Sequence, residues 1–290
     1  MPRPAAFFLD KASLYPDDLD LSVLDSIASW RWFDNATTDD ILHELETAEI
    51  IVANKVLLSR RVIESCKRLK LICVAATGVN NVDIEAANQH SVKVCNVRGY
   101  ATSSVVQHVF SLLLSSYRKL PAYNRSALNG DWSQSDFFCF FGPPFSDLEG
   151  KTLGIIGYGE LGRAVAGVAR CFGMNVLVAH SHIKQVVAVV AETRVALPVL
   201  LAESVVVSLH CPLTEDNRHM ICKNELSMMK SDAVLINTAR GGLVDEHALL
   251  DALQQNQIGA AALDVLAEEP PSPDNALLNY REDNLLLTPH

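Results

Sequence analysis

The chain has 290 residues, 49% hydrophobic and 20% charged, with a formal net charge of −10. At about 100 to 200 residues per domain this length predicts two domains with sizeable cores. The acidic balance excludes a surface built for nucleic-acid backbones or anionic membranes, which need basic faces. Its longest apolar stretches, at residues 105–114 and 186–191, fall well short of the ~20 residues that span a bilayer. The apolar run within residues 1–10 is likewise too short for a secretory signal. Seven cysteines, at positions 66, 73, 95, 139, 171, 211 and 222, form an odd set with no C-x-x-C pair. That is unlike a disulfide framework or a zinc site, so a reducing cytoplasm and no metal are expected.

In chain order, residues 5–9, 50–53, 71–75 and 92–96 are short apolar runs that read as buried strands, with helix-like stretches near 19–29, 38–46 and 59–66 between them. Alternating strands and helices, with the strands continuously apolar, imply an α/β fold whose parallel sheet is covered on both faces. Residues 101–116 carry one long helical pattern, followed by an irregular stretch at 130–146 rich in Gly, Pro and Phe. The alternation then restarts with strands at 152–156, 175–179, 205–210, 233–237, 260–264 and 285–287. A six-stranded doubly wound sheet is predicted for this second unit.

Within it, residues 153–166 pass from an apolar strand through Gly157-Tyr-Gly159-Glu160-Leu161-Gly162 into a helix. A bare G-x-G-x-x-G can be a packing turn, but strand before and helix after supply the context of a dinucleotide site. Gly157 allows the tight turn, Gly159 lets backbone approach a pyrophosphate, and Gly162 permits close packing of helix on strand. The helix start at Glu160 and Leu161 offers free N–H groups and a positive partial charge to phosphates. The second strand should end in an acid that grips the adenosine ribose. Here the sequence reads His180-Ser181-His182, with Lys184 beyond. These residues could accept a 2′-phosphate, or could be solvated loop positions, so both NAD and NADP remain open.

Further motifs run the length of the chain: residues 75–83 (AATGVNNVD), 99–108 (GYATSSVVQH), 208–214 (SLHCPLT), 237–245 (NTARGGLVD), 262–265 (ALDV), Glu269-Pro270 and Thr288-Pro-His290. In this order they resemble the D-isomer-specific 2-hydroxyacid dehydrogenases, and within them the glycerate dehydrogenase, or hydroxypyruvate reductase, group. The resemblance implies two doubly wound parallel-sheet domains. Residues 1–98 would form a flavodoxin-like substrate domain and residues 99–290 a Rossmann NAD(P)-binding domain. It also implies a C-terminal tail beyond the Thr-Pro-His motif that returns to the first domain; this sequence ends on the histidine.

By the same resemblance, Arg240, Glu269 and His290 are the catalytic residues. The guanidinium fork of Arg240 suits the carboxylate and carbonyl oxygens of a 2-oxo acid. His290 resembles the proton donor, since a group titrating near neutrality can both give and recover the proton. Glu269 would pair with that imidazole, with Glu268 only a solvated neighbour. Cys211 and Pro212, beside His210, resemble the wall next to the adenine. Thr102, with Ser104 nearby, Thr238, Ala239 and Asp264 resemble other cofactor contacts. The loops Asn54-Lys55-Val56 and Thr77-Gly78-Val79 resemble those that receive the substrate, the second through its backbone N–H groups.

The implied activity is reversible reduction of hydroxypyruvate or glyoxylate to the D-2-hydroxy acid by NAD(P)H. Alternatives are a phosphoglycerate dehydrogenase-like enzyme, for which Lys55 alone is thin support, and a non-catalytic NAD(P)-sensing binding protein, which would not need all three catalytic residues. A homodimer is expected from the family. It would form through the helix at 101–116 and the aromatics Trp132, Phe137, Phe138, Phe140 and Phe141, which could instead belong to the core.

Overall fold

The computed structural model describes residues 3–14, 19–180 and 194–290. The chain divides into two compact units, Met1–Tyr100 and Ala101–His290.

The first unit carries β1 (Ala5–Phe8), β2 (Ser29–Trp32), α1 (Leu42–Leu45), β3 (Ile50–Ala53), α2 (Arg60–Ser65), β4 (Leu71–Val74), α3 (Ile84–Gln89) and β5 (Lys93–Asn96). Its five parallel strands lie in the order β2-β1-β3-β4-β5, the doubly wound order of flavodoxin-like sheets. Phe7, Leu45, Ile51, Ile63 and Ile72 fill the core beneath it. Asp83 caps α3 by accepting from the Ala86 N–H at 2.8 Å.

One expectation fails here, and one strand was not foreseen. The stretch at 19–29 is a single 3-10 turn, Ser22–Ser26, rather than a helix, and its end enters strand β2. That strand, Ser-Trp-Arg-Trp, is an edge strand with alternate residues exposed, so it lacks the continuous apolar run by which its neighbours are recognised.

The second unit begins with α4 (Thr102–Tyr117) and α5 (Leu120–Asn129). The helix α5 escaped the sequence reading because Lys119, at φ 55°, breaks the chain direction and Pro121 follows at once. There follow β6 (Thr152–Ile156), α6 (Glu160–Cys171), β7 (Asn175–Ala179), β8 (Arg194–Val195), α7 (Leu197–Glu203), β9 (Val206–Leu209), α8 (Lys223–Met228), β10 (Val234–Asn237), α9 (Glu246–Gln254), β11 (Ala260–Leu263), α10 (Ala276–Asn279) and β12 (Leu285–Leu287).

All seven strands are parallel, in the order β12-β11-β10-β9-β6-β7-β8. The expected count of six omits β8, whose two residues are too few to show a pattern. The central strands β9, β10 and β11 are buried at every position, as strands covered on both faces must be. Helices α4 and α6 cover one face through Val109, Phe110, Leu113 and Val165. The other face packs on Leu200, Leu226, Leu249 and Leu253. The chain moves one way from β6 to β7 and β8 and the other way through β9 to β12. The switch point therefore lies between β6 and β9, where ligands of such sheets bind beyond the carboxyl ends of the strands.

Candidate functional site

The carboxyl edge of the second sheet collects most of the candidate residues. The turn after β6 carries Gly157 to Gly162; His180 follows β7, exposed; Cys211 and Pro212 follow β9; Thr238, Ala239 and Arg240 follow β10; Asp264 follows β11; His290 lies three residues past β12. Ser181, with His182 and Lys184, lies outside the described residues.

At the glycine turn the three positions differ in what they demand. Gly157 sits at φ 98°, and a Cβ there would run into the backbone of His210 and Cys211. A Cβ on Gly162 would collide with the carbonyl of Gly157, so the helix α6 can approach the strand only without one. A Cβ on Gly159, by contrast, would meet nothing within 4 Å. That pattern leaves an open cradle at the N-terminus of α6. Thr102 Oγ1 donates to Glu160 Oε1 at 2.5 Å, so two expected cofactor positions are tied together and the start of α4 is fixed to the start of α6.

The turn bearing Arg240 is built by Asn237, which is fully buried at the end of β10. Its Oδ1 accepts from the Ala239 N–H at 3.0 Å and its Nδ2 donates to the Arg240 carbonyl at 2.8 Å. Arg240 Nη1 in turn donates to the Ala239 carbonyl at 2.7 Å. Beside it, Thr238 Oγ1 is buried with no hydrogen-bond partner among the described residues. A buried hydroxyl left unpaired costs about 1–3 kcal/mol unless something else satisfies it.

Gly241 then does for this edge what Gly162 does for the other. A Cβ on it would overlap the backbone of Leu266 and Ala267. Its bareness seats the 264–269 loop directly against the arginine turn.

On that loop Glu269 uses both oxygens. Oε1 accepts from the Leu266 N–H at 3.1 Å, and Oε2 lies 2.7 Å from His290 Nδ1. Because the carboxylate is anchored by its own loop, it sets the orientation of the imidazole. Both side chains stay about a third exposed, and the other ring nitrogen, Nε2, makes no hydrogen bond among the described residues. Sequence reasoning missed Asn237 and Gly241 as supports of the site, although both stand inside the NTARGG motif.

His210 closes the row. Its Nε2 lies 2.9 Å from Ser208 Oγ while its Nδ1 is buried without a partner among the described residues. Burial pushes its pKa down to about 4, which keeps the ring neutral beside the glycine turn.

Within the first unit, the two expected substrate loops follow β3 and β4. The carboxylate of Asp10, buried at the end of β1, accepts from the backbone N–H groups of Asn54, Lys55 and Val56 at 2.7 to 3.3 Å. Those amides are therefore committed, and Asn54 Nδ2 donates to Ser13 Oγ at 3.0 Å, which leaves its Oδ1 and the Lys55 side chain to meet a ligand. Asn81 Nδ2 donates to the Val56 carbonyl at 3.0 Å from the other side. In the second loop Asn96 Nδ2 holds the Thr77 carbonyl at 2.7 Å, and no intrachain acceptor takes the amides of Thr77, Gly78 or Val79 among the described residues.

Residues 110–290 match the family model described as "D-isomer specific 2-hydroxyacid dehydrogenase, NAD binding domain". The chain is 44% identical to a glycerate dehydrogenase of Methylorubrum extorquens over 254 residues, 88% of this chain and 79% of that protein. The chain belongs to the D-isomer specific 2-hydroxyacid dehydrogenases.

Like other members, the dehydrogenase is an NAD(P)-dependent oxidoreductase of 2-hydroxy acids. It is 34% identical to a hydroxypyruvate reductase of Blautia hydrogenotrophica, with 97% of this chain and 88% of that one covered. Its fold matches the D-lactate dehydrogenase of Aquifex aeolicus complexed with NAD and lactic acid with a TM-score of 0.84, at 28% identity and 99% coverage of this chain and 88% of that one. The residues at the sheet edge fit a dinucleotide. The cradle at Gly159 is open, the N-terminus of α6 points into it, and the orphaned Thr238 hydroxyl can be satisfied by a bound polar group. Among the described residues no helix is long and apolar enough to cross a membrane and no group of side chains is arranged to hold a metal.

Proposed function

We propose that the dehydrogenase reduces hydroxypyruvate, and glyoxylate with it, to the corresponding 2-hydroxy acid, with Arg240, Glu269 and His290 as its catalytic residues. The observation that carries the assignment is the 2.7 Å contact between His290 Nδ1 and Glu269 Oε2, on the same sheet edge as Arg240. A sensor of dinucleotides has no use for an anchored carboxylate that turns an imidazole outward.

NAD(P)H when bound supplies the hydride. It would be held by Gly157, Gly159, Glu160, Leu161 and Gly162 at the phosphates, by Cys211 and Pro212 near the adenine, and by Thr238, Ala239 and Asp264 towards the nicotinamide, with Thr102 bracing the turn. Arg240 presents its donors to the carboxylate and carbonyl of the keto acid. Each charge-assisted bond of this kind contributes about 1.5–3 kcal/mol. His290 donates a proton from Nε2 to the developing alkoxide, and its Nδ1–H stays on Glu269. That arrangement is worth about 10²- to 10⁴-fold in rate. Residues 1–98 act as the substrate domain and 99–290 as the dinucleotide-binding domain. The free amides at Thr77, Gly78 and Val79 suit the substrate carboxylate, and Asn54 and Lys55 contribute side chains.

The working form is a homodimer. Trp132, Phe137, Phe138 and Phe141 are 55% to 93% exposed, an apolar run that a second copy would cover. Seven free cysteines suit a reducing cytoplasm.

The test follows the nicotinamide absorbance of purified protein with hydroxypyruvate or glyoxylate and NADH or NADPH. Turnover of hydroxypyruvate, lost by at least about a hundredfold in Arg240→Lys and His290→Gln, supports the reading. Failure of every small 2-oxo acid with both coenzymes overturns it.

A further inference from the structure

Helix α4 brings one residue to the sheet edge that the reaction as described does not use. His108 Nε2 lies 3.0 Å from Asp264 Oδ1 and 3.0 Å from Thr288 Oγ1, and Thr288 Oγ1 itself donates to Asp264 Oδ1 at 2.6 Å. The three side chains form a closed triangle.

The proton positions follow from this geometry. The Thr288 hydroxyl spends its single hydrogen on Asp264, so its oxygen faces His108 with lone pairs. The carboxylate oxygen can only accept. His108 Nε2 must therefore carry hydrogen, since a bare nitrogen would set three lone pairs against one another. Asp264 Oδ1 thus receives two donors, while Oδ2 makes no hydrogen bond among the described residues.

The backbone is pinned at the same place: the Asp264 N–H donates to the Asn237 carbonyl at 2.9 Å and the Thr288 N–H to the Leu263 carbonyl at 3.0 Å. What the backbone leaves undetermined is the Asp264 side-chain torsion, and His108 and Thr288 settle it together from two elements. The side chains of His108 and Asp264 are 35% and 17% exposed, wet enough for the carboxylate to turn away if released.

We propose that His108 is a positioning residue for the coenzyme: together with Thr288 it locks Oδ1 of Asp264 so that Oδ2 faces the donor N–H of the nicotinamide carboxamide. The inference rests on the proposed nicotinamide contact of Asp264. It adds a device on a different helix, and ties the Thr288 end of β12, two residues before His290, to the same anchor.

The test separates the nicotinamide end of the coenzyme from the rest by comparing dissociation constants for NADH and for ADP-ribose, which shares the adenine and diphosphate and lacks the carboxamide. His108→Phe keeps the bulk and removes the donor; His108→Asn stays polar and is too short to reach Asp264; His108→Gln retains an N–H at about the length of Nε2. Both His108→Phe and His108→Asn should weaken NADH about tenfold, the scale of one hydrogen bond, and leave ADP-ribose within about twofold. His108→Gln should return NADH binding to near the wild-type value, and the KM for the keto acid at saturating NADH should stay unchanged in all three.

Asp264→Asn serves as the reference. If it weakens NADH selectively while His108→Phe and His108→Asn do not, the clamp alone is overturned. If Asp264→Asn itself leaves NADH binding intact, the proposed contact of Asp264 falls and the clamp with it. Equal loss of NADH and ADP-ribose in the His108 variants reports a general disturbance of the fold and also overturns the clamp.

Discussion

His290 and Glu269 meet at 2.7 Å through Nδ1 and Oε2, and the second oxygen of Glu269 is held by the N–H of Leu266. The carboxylate is thus braced from its own loop before it braces the imidazole, and the pair presents one ring nitrogen in a fixed direction. Replacing Glu269 by Gln keeps the shape and removes the charge that selects the Nδ1–H tautomer. A loss of about 10- to 100-fold in kcat is expected, the range for removal of an orienting partner, with the KM for the keto acid moved less than threefold. Steady-state kinetics with the preferred coenzyme measure both, and a kcat equal to wild type would show that the contact is structural.

The second and third glycines of the turn should fail in different ways. In Gly159→Ala the new methyl enters open space, so the thermal midpoint should hold while dinucleotide affinity drops by about tenfold or more, because the methyl occupies the ground where a diphosphate approaches. In Gly162→Ala the methyl meets the Gly157 carbonyl, an overpacking worth about 1–3 kcal/mol, and the thermal midpoint itself should fall. Calorimetry and coenzyme titration on the two variants separate the outcomes; a Gly159→Ala protein that binds coenzyme as wild type would place the diphosphate elsewhere.

Asp10 is the hinge of the loop at residues 54–56. Its buried carboxylate is the acceptor for three backbone N–H groups, and Asp10→Ala strands them. The expected cost is about 3 kcal/mol, the scale of a charged hydrogen-bond acceptor removed from buried donors, read as a lower urea midpoint. Since the loop also carries Asn54 and Lys55, the KM for the keto acid should rise in the same variant. A stability unchanged within about half a kcal/mol would mean the loop holds its shape without the carboxylate.

His210 makes stability depend on pH. Burial holds its pKa at about 4, against 6.5 for the free side chain. Below 6.5 the unfolded chain takes up a proton that the folded chain refuses. The contribution is therefore complete above about 6.5, erodes as the pH falls, and levels off below about 4, with a ceiling of about 3 kcal/mol. His210→Asn should lose that part of the acid sensitivity, so its denaturation midpoint should change less than that of wild type between pH 7 and about 4.5. Parallel slopes for the two proteins would show that the ring is hydrated and titrates normally.

The elements built on a continuous apolar run were legible in the sequence. Strands β6, β9, β10 and β11 are buried on both faces, so hydropathy alone marks them. The glycine turn and the arginine, glutamate and histidine motifs each lie within a few consecutive residues of a strand end, which is the scale a motif can encode. Elements without such an apolar run were missed: the half-exposed edge strand Ser29–Trp32, the two residues of β8, and α5 behind the left-handed Lys119.

What only the tertiary structure decided is which groups far apart in the chain share a hydrogen bond. Asp10 reaches the amides at 54–56 because β1 and β3 are sheet neighbours. His108 reaches Asp264 and Thr288, 156 and 180 residues away, because α4 packs across the face of the sheet on which β11 and β12 end. A side chain's neighbours along the chain record its propensity and burial. The partner of its last proton depends on strand order and helix placement, which follow from packing the whole domain and leave no mark on any short window of sequence.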